Sequence, residues 1–432
     1  MTKRWQGLLT FTVKLLKIAG ARNMDDADIQ TDEWVWPFRF ICGAMFGVAF
    51  SLPLGRSMVA LGVVFMLIEA VRRRRMPVLS FAFWCWIAVL VLAVVAAHTG
   101  ANPERSFSKI HKLYWFAAIP LAATVMRNHS ERVRPLLRSF GAGCVVLALR
   151  IILWRPIEAW QAVRESVAAG GGCDYMWAIT DLGSMTNGQM LMIGIIAVGG
   201  LTISVSGVEG DELKRVKRWY TIVLVLLSMA LVVNLKRGSW ICTLVVMGGF
   251  AATKLRMRHL LALAVLTVGI VLLPPVWCRL CSLKKEFDCS KGGRIVMWTK
   301  IAPPLIKDYP LGIGYRALTP ELMKEVAESQ GVVVESERDH LHSNPVQVLV
   351  SLGWAGLAVY LMWMGGAITG GVKLIRGEPE ASIHRTEILS LVLMLAALIM
   401  NGLIEYNLGD AELVVPYAVL LGSLAGPRVK RD

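Results

Sequence analysis

The chain has 432 residues, 55% of them hydrophobic and 18% charged, with 46 Lys and Arg against 31 Asp and Glu for a formal net charge of +15. Soluble domains carry about a quarter charged residues, so this balance excludes an ordinary cytosolic enzyme, and so much apolar sequence excludes a disordered chain. An excess of positive charge points to nucleic acid in a soluble protein and to basic cytoplasmic loops in a membrane protein; where the charges lie decides between them.

Residues 1–22 interleave Trp5, Leu8, Leu9, Phe11, Leu15, Leu16 and Ile18 with Lys14 and Lys17, which suits an amphipathic helix on a membrane surface or a partly ordered tail. The basic start runs into no continuous apolar core, so a cleaved signal peptide is not expected. Apolar stretches long enough for a bilayer then recur near 34–54, 57–71, 78–98, 110–126, 136–154, 185–206, 219–235, 238–253, 259–277, 344–368, 386–404 and 411–427. The stretch 57–71 is short and pairs with 34–54 as a hairpin.

Placing the N-terminus in the cytoplasm sets the inside segments at 1–33, 72–77, 127–135, 207–218, 254–258, 369–385 and 428–432. Each after the first carries three or more basic residues, among them Arg72 to Arg75, Lys214, Arg215, Lys217 and Arg218, and Lys373, Arg376 and Arg385. Outside turns are poorer, with Arg56 in one and none between 405 and 410. That asymmetry obeys the positive-inside rule. The expectation is an all-α polytopic membrane protein of about twelve transmembrane helices, both termini cytoplasmic. Its divisions are a cytoplasmic, interfacial N-terminal segment 1–33, helices one to nine over 34–277, a large periplasmic loop 278–343, helices ten to twelve over 344–427, and a cytoplasmic tail 428–432. A second long outside segment, 155–184, holds Gly170-Gly171-Gly172, and Pro320 to Gln330 reads as a short amphipathic helix.

Of eight cysteines, Cys42, Cys85, Cys144 and Cys242 lie in apolar spans and read as packing. Cys173, Cys278, Cys281 and Cys289 fall in the two long outside segments, where an even number of thiols suits one or two structural disulfides with three pairings open. Free thiols, and a metal or redox role for Cys278-x-x-Cys281, are the other readings.

Charges kept at one membrane face carry the chemistry. Arg237, after Asn234-Leu235-Lys236, opens a span against the positive-inside rule; its planar guanidinium suits phosphate oxygens, and snorkelling to headgroups is the plainer reading. Arg294 stands in Gly292-Gly293-Arg294, with Trp298 one helical turn on and Tyr309-Pro310-Leu311-Gly312-Ile313-Gly314-Tyr315 downstream. These glycines allow close backbone approach to a ligand. Trp298 reads as an interface anchor or a sugar-stacking ring. His342, in Asp339-His340-Leu341-His342-Ser343-Asn344-Pro345, is placed to accept a proton from a sugar hydroxyl, with His340 as competitor and a headgroup contact as the plain alternative. Arg150 inside an apolar span reads as functional or acid-paired, and Asn187 as a ligand or interhelical hydrogen-bonder. Glu405, Asp410 and Glu412 are candidate partners for the arginines, with solvation the plainer reading.

No Gly-x-x-x-x-Gly-Lys-[Ser/Thr] loop is present, nor an Asp-x-Asp or histidine cluster for a metal-bound sugar nucleotide. Group transfer would therefore need a donor already activated within the membrane. His342-Ser343, nine residues, then Gly353-x-x-Gly356 resembles the His-[Asn/Ser/Gln]-x9-Gly-x-x-Gly signature of bacterial O-antigen ligases. Lys236-Arg237-Gly238 resembles that superfamily's Arg-Gly element, and Arg294-x-x-x-Trp298 with Gly312-x-Gly314 its large periplasmic loop.

The resemblance implies a GT-C-like inner-membrane glycosyltransferase without metal or other cofactor. It would move a glycan from undecaprenyl diphosphate to lipid A–core oligosaccharide at the periplasmic face, Arg237 and Arg294 binding the diphosphate and His342 serving as base. Tyr315, Trp298, Arg150, Asn187 and His340 are secondary candidates. Nucleic acid is not an expected partner. Related readings are an O-antigen polymerase or a protein O-oligosaccharyltransferase, and a transporter is the alternative of another class.

Overall fold

The computed structural model describes residues 34–168, 184–205, 211–254, 269, 271–281, 293–334, 339–380 and 382–425. Among them every regular element is helical. In chain order the α-helices of seven residues or more are α1 (Val35–Val48), α2 (Leu52–Arg73), α3 (Phe81–Thr99), α4 (Pro103–Ile110), α5 (Ala118–Met126), α6 (Val133–Ala168), α7 (Met185–Ser204) and α8 (Asp211–Val233). They continue with α9 (Arg237–Lys254), α10 (Pro274–Cys281), α11 (Ala302–Asp308), α12 (Pro320–Ser329), α13 (Asn344–Gly377), α14 (Ile383–Gly402) and α15 (Val414–Leu424).

Seven of the described helices, α2, α3, α6, α7, α8, α13 and α14, are long and apolar enough to cross a bilayer. The shape of the bundle follows from which faces they bury. All eleven residues of α15 are buried, as is most of α7, so these two form the centre together with α14. The helices around them expose apolar side chains instead: Leu67 and Ile68 on α2, Trp84 and Val91 on α3, Val225 and Met229 on α8, Leu361 and Met362 on α13. Water would not tolerate that much apolar surface on a monomer; lipid does. This is a multi-pass membrane protein.

The expected spans meet this bundle unevenly. In the first hairpin the short member is α1, at 14 residues, and α2 runs to 22, because the chain turns at 49–51 rather than near 55. A Cβ on Gly55 would sit 2.6 Å from the Val48 side chain, so only glycine lets the two helices meet there. The stretch 110–126 is not one α-helix: His111–Ala117 winds as a 3-10 helix before α5 begins. Trp86 Nε1 donates to the Leu113 carbonyl (3.0 Å), so side-chain bonding has replaced part of the regular ladder. Most of 259–277 lies outside the described residues, as do 1–33, 428–432 and Gly170 to Gly172.

Chain direction fixes two ends. The α13 and α7 starts and the α8 and α14 finishes gather at one end. At the opposite end Arg134 of α6 pairs with the buried Glu387 of α14 at 2.5 Å, and Ser204 at the finish of α7 donates to the same carboxylate (3.5 Å). The basic residues Arg72 to Arg75, Arg215, Arg218, Arg376 and Arg385 lie toward that second end. The site described next lies at the first.

Candidate functional site

His342 owes its position to a hydrogen-bonded clamp around a strained backbone. It adopts φ 48° immediately before Ser343, the N-cap of α13. A left-handed conformation costs an L-residue roughly 1–2 kcal/mol, and the flanking contacts hold it. Leu341 N–H donates to Gln347 Oε1 (2.9 Å), and the Leu341 carbonyl accepts from Trp298 Nε1 (2.7 Å). Asn344 Nδ2 donates to Asn407 Oδ1 (2.6 Å) while Asn344 Oδ1 accepts from Leu408 N–H (3.1 Å). These last bonds tie the histidine segment to the turn after α14, which carries Glu405.

The glycines named from sequence serve this scaffold. Gly353, at φ 69°, kinks α13 and frees carbonyls one turn earlier. Ile313 N–H takes the Val350 carbonyl (2.9 Å) and Gly314 N–H the Ser351 carbonyl (3.1 Å). A Cβ on Gly312 would lie 2.4 Å from the Ser351 oxygen, and one on Gly353 2.4 Å from the Pro310 oxygen. The close approach expected toward a ligand is therefore made to the kinked helix.

Glu405 is the hub. Arg294 Nη2 meets Glu405 Oε1 at 2.5 Å, and His342 Nδ1 meets Glu405 Oε2 at 3.2 Å. A carboxylate only accepts, so Nδ1 carries the proton and Nε2 is left with its lone pair. Arg237 joins them as the first residue of α9, after a turn in which Asn234 Nδ2 donates to the Ser184 carbonyl (2.9 Å). A cavity of about 50 Å³ is lined by Lys236, Arg237, Arg294 and Glu405, with Gln189 and Asn401 completing its polar wall. Arg237 and Arg294 are 8% and 9% exposed, so their charges act in a partly desolvated setting where each is worth more than in water.

Burial pushes the His342 imidazole below its ordinary pKa, and the charges of His340 and Arg294 push the same way; the Glu405 carboxylate opposes them. The net effect keeps the ring neutral near pH 7. Asp410, where burial and then the nearby Glu412 and Glu405 disfavour charge, is raised to about 6. The arrangement offers cations for an anion beside a neutral imidazole with one free nitrogen.

Residues 222–361 match the family model described as O-antigen ligase. That stretch is about a third of the chain, and over it the chain is similar to this family. A comparison with curated proteins finds no match. The O-antigen ligase stretch runs from within α8 into α13 and so includes Arg237, Arg294 and His342, whereas Glu405 lies beyond it.

The remaining sequence candidates divide. Trp298 is half-buried and holds the histidine segment through its indole N–H. Tyr315 is buried and bonded to Arg316, with its carbonyl accepting from Ser106 Oγ (3.0 Å). The His340 ring lies against His342, centres 4.2 Å apart and planes tilted by 52°, and contacts Asp339 at 3.0 Å. Arg150 is exposed on the side of α6, a helix of 36 residues. Arg150 and Asn187 share an open cleft of about 320 Å³ with Trp154, Arg155, Glu158 and Ser184.

Cys281 is exposed, its thiol free among the described residues; Cys173 and Cys289, and the side chain of Cys278, the other candidates for a disulfide, lie outside what is described. The sequence undervalued Glu405, for which solvation was the plainer reading. A carboxylate between the apolar run ending at Met400 and the Asn407 turn was the available signal.

Proposed function

We propose that this protein is an O-antigen ligase of the inner membrane, with its site facing the periplasm, moving a glycan from undecaprenyl diphosphate to a hydroxyl of lipid A–core oligosaccharide. One observation carries the reading: Glu405 joins Arg294 to His342 while Arg237 lines the same small cavity, so an anion site and a base sit side by side. In this reading the acceptor oxygen attacks the anomeric carbon as the bond to the phosphate oxygen breaks. The acceptor proton passes to His342 Nε2. The departing diphosphate keeps the electron pair, and its growing charge is met by Arg237 and Arg294. A guanidinium has five donors, so Arg294 can hold Glu405 and a phosphate oxygen together.

Single displacement inverts the anomeric centre, and no step calls for a metal. The cleft beside Arg150 and Asn187 is the room we assign to the donor's sugars. A transporter would place its charged site near the midplane, whereas these residues stand at helix termini.

The test is transfer by purified protein in detergent, given lipid-linked glycan and lipid A–core with no gradient. Arg237→Lys and Arg294→Lys, which keep charge but lose the planar fork, are expected to cut transfer by roughly 10²-fold or more. His342→Ala is expected to abolish transfer while donor binding persists. Near-normal turnover in both lysine variants would remove the diphosphate role. Core without attached polymer in cells lacking the protein supports a ligase; single repeat units on core would make it a polymerase.

A further inference from the structure

A second group of cations stands at the site end, unused by the mechanism above. Arg105 and Lys109 share one face of α4, and Lys112 continues it into the following turn. Arg316 is brought alongside by backbone contacts: Arg105 Nε donates to the Arg316 carbonyl (3.0 Å). Arg56 arrives from the first turns of α2, its guanidinium 4.7 Å above the Trp115 ring. Arg316, Lys109, Arg56 and Arg105 all lie near enough to Lys112 to repel its charge, and all five are half-buried. Asp339 offsets part of this, 3.9 Å from Arg105, and Glu321 also faces Arg105. Among the described residues Lys109 and Lys112 take part in no ion pair.

Like charges so spaced destabilise a helix, and the positive-inside rule disfavours them at an outward end. Something anionic must repay the arrangement. Two features say what. Phe107 and Tyr114, on the same run of chain, are each 47% exposed, so the patch borders a lipid-facing aromatic surface. It also reaches the site directly: Asp339 contacts His340, whose ring lies against His342. The donor cations Arg237 and Arg294 lie beyond His342, on the Glu405 side. An anion at the patch therefore belongs to the molecule that approaches His342 from the His340 side, the acceptor.

We propose that Arg56, Arg105, Lys109, Lys112 and Arg316 form a subsite for a phosphate or carboxylate group on the acceptor, which must then be an anionic glycolipid held at the membrane surface. This rests on the ligase reading for what counts as acceptor, and the experiment separates the two. The full-length protein in nanodiscs of zwitterionic lipid is given phosphorylated lipid A–core or the same glycolipid stripped of phosphate. Binding and transfer are both measured, for wild type and for Lys109→Gln/Lys112→Gln.

The double variant is expected to bind the phosphorylated acceptor roughly tenfold more weakly, raising acceptor KM with kcat and donor KM unchanged. Wild type is expected to lose about as much when the phosphates are removed, and the variant to lose nothing further. Equal losses for both acceptors, or no loss at all, would overturn the subsite. So would a dependence on added anionic phospholipid in place of acceptor phosphate, which would mark the patch as a headgroup contact. Selective binding without transfer would leave the subsite standing and defeat the ligase reading, whereas transfer without selective binding would do the reverse.

Discussion

Glu405 holds His342 in two opposing ways, and they can be separated. Its charge favours the imidazolium, while burial, His340 and Arg294 favour the neutral ring. Glu405→Gln removes the charge and keeps an acceptor for Nδ1–H. The imidazole pKa should then fall, since the carboxylate charge, one of the two ways in which Glu405 raises it, is gone while an acceptor remains. A general base works only when neutral, so transfer is lost as pH drops through that pKa. The acid limb of kcat against pH is therefore expected to move to lower pH in Glu405→Gln. The plateau should drop by roughly 10²-fold, because the ring is held less firmly in its productive tautomer. An unmoved limb would mean that His342 does not set it. Asp410, near pKa 6, is the competing titration, and Asp410→Asn should leave the His342 limb in place.

How much of this was legible follows from what each residue violates. Arg237, Arg294 and His342 stand out in one dimension: a cation against the positive-inside pattern, an arginine among glycines, and a histidine in a spaced signature. Glu405 carries only the weaker signal of a carboxylate just past an apolar run, until the fold buries it against Arg294, 111 residues away. Trp298 reads from sequence as an interface anchor or a sugar-stacking ring, and its hydrogen bond to the Leu341 carbonyl, which helps to place His342, was not legible there.

Among the elements, α13 bears the most consequence. Its kink at Gly353 points the first turns, and with them His342, toward the α14 turn. Gly353→Ala would need an L-residue at φ 69° with its Cβ 2.4 Å from the Pro310 oxygen. Straightening the helix would strip Ile313 N–H and Gly314 N–H of their acceptors. The expected result is a loss of roughly 1–3 kcal/mol in stability, seen as a lower Tm in detergent, with transfer falling further than folded protein does. Stability and activity both at wild-type level would show that the kink is incidental. Apolar length alone revealed neither this kink nor the 3-10 winding of His111–Ala117, because both are imposed by tertiary partners, the Gly312–Gly314 strand of chain and Trp86. Helix existence was readable from hydropathy; which helices are central was not, since α15, buried throughout its eleven residues, looks in sequence like any lipid-facing span.

The molecule as a whole makes a claim about sidedness that no single residue carries. The basic clusters Arg72 to Arg75 and Arg215 to Arg218 belong to the end away from His342, and the positive-inside rule would put that end in the cytoplasm. In the proposed reading, a lipid-linked donor exposed on the other leaflet would then meet Arg237 and Arg294 without crossing. Ser108, on α4 beside the cation patch, and Arg74, at the close of α2, are both exposed and sit at opposite ends. In a background with the eight native cysteines replaced, Ser108→Cys is expected to react with a membrane-impermeant maleimide on intact spheroplasts. Arg74→Cys is expected to react only after permeabilisation. The reverse pattern would turn the site toward the cytoplasm. His342 would then face a compartment supplied with nucleotide-activated sugars, and the case for a lipid-linked diphosphate donor would lose its footing.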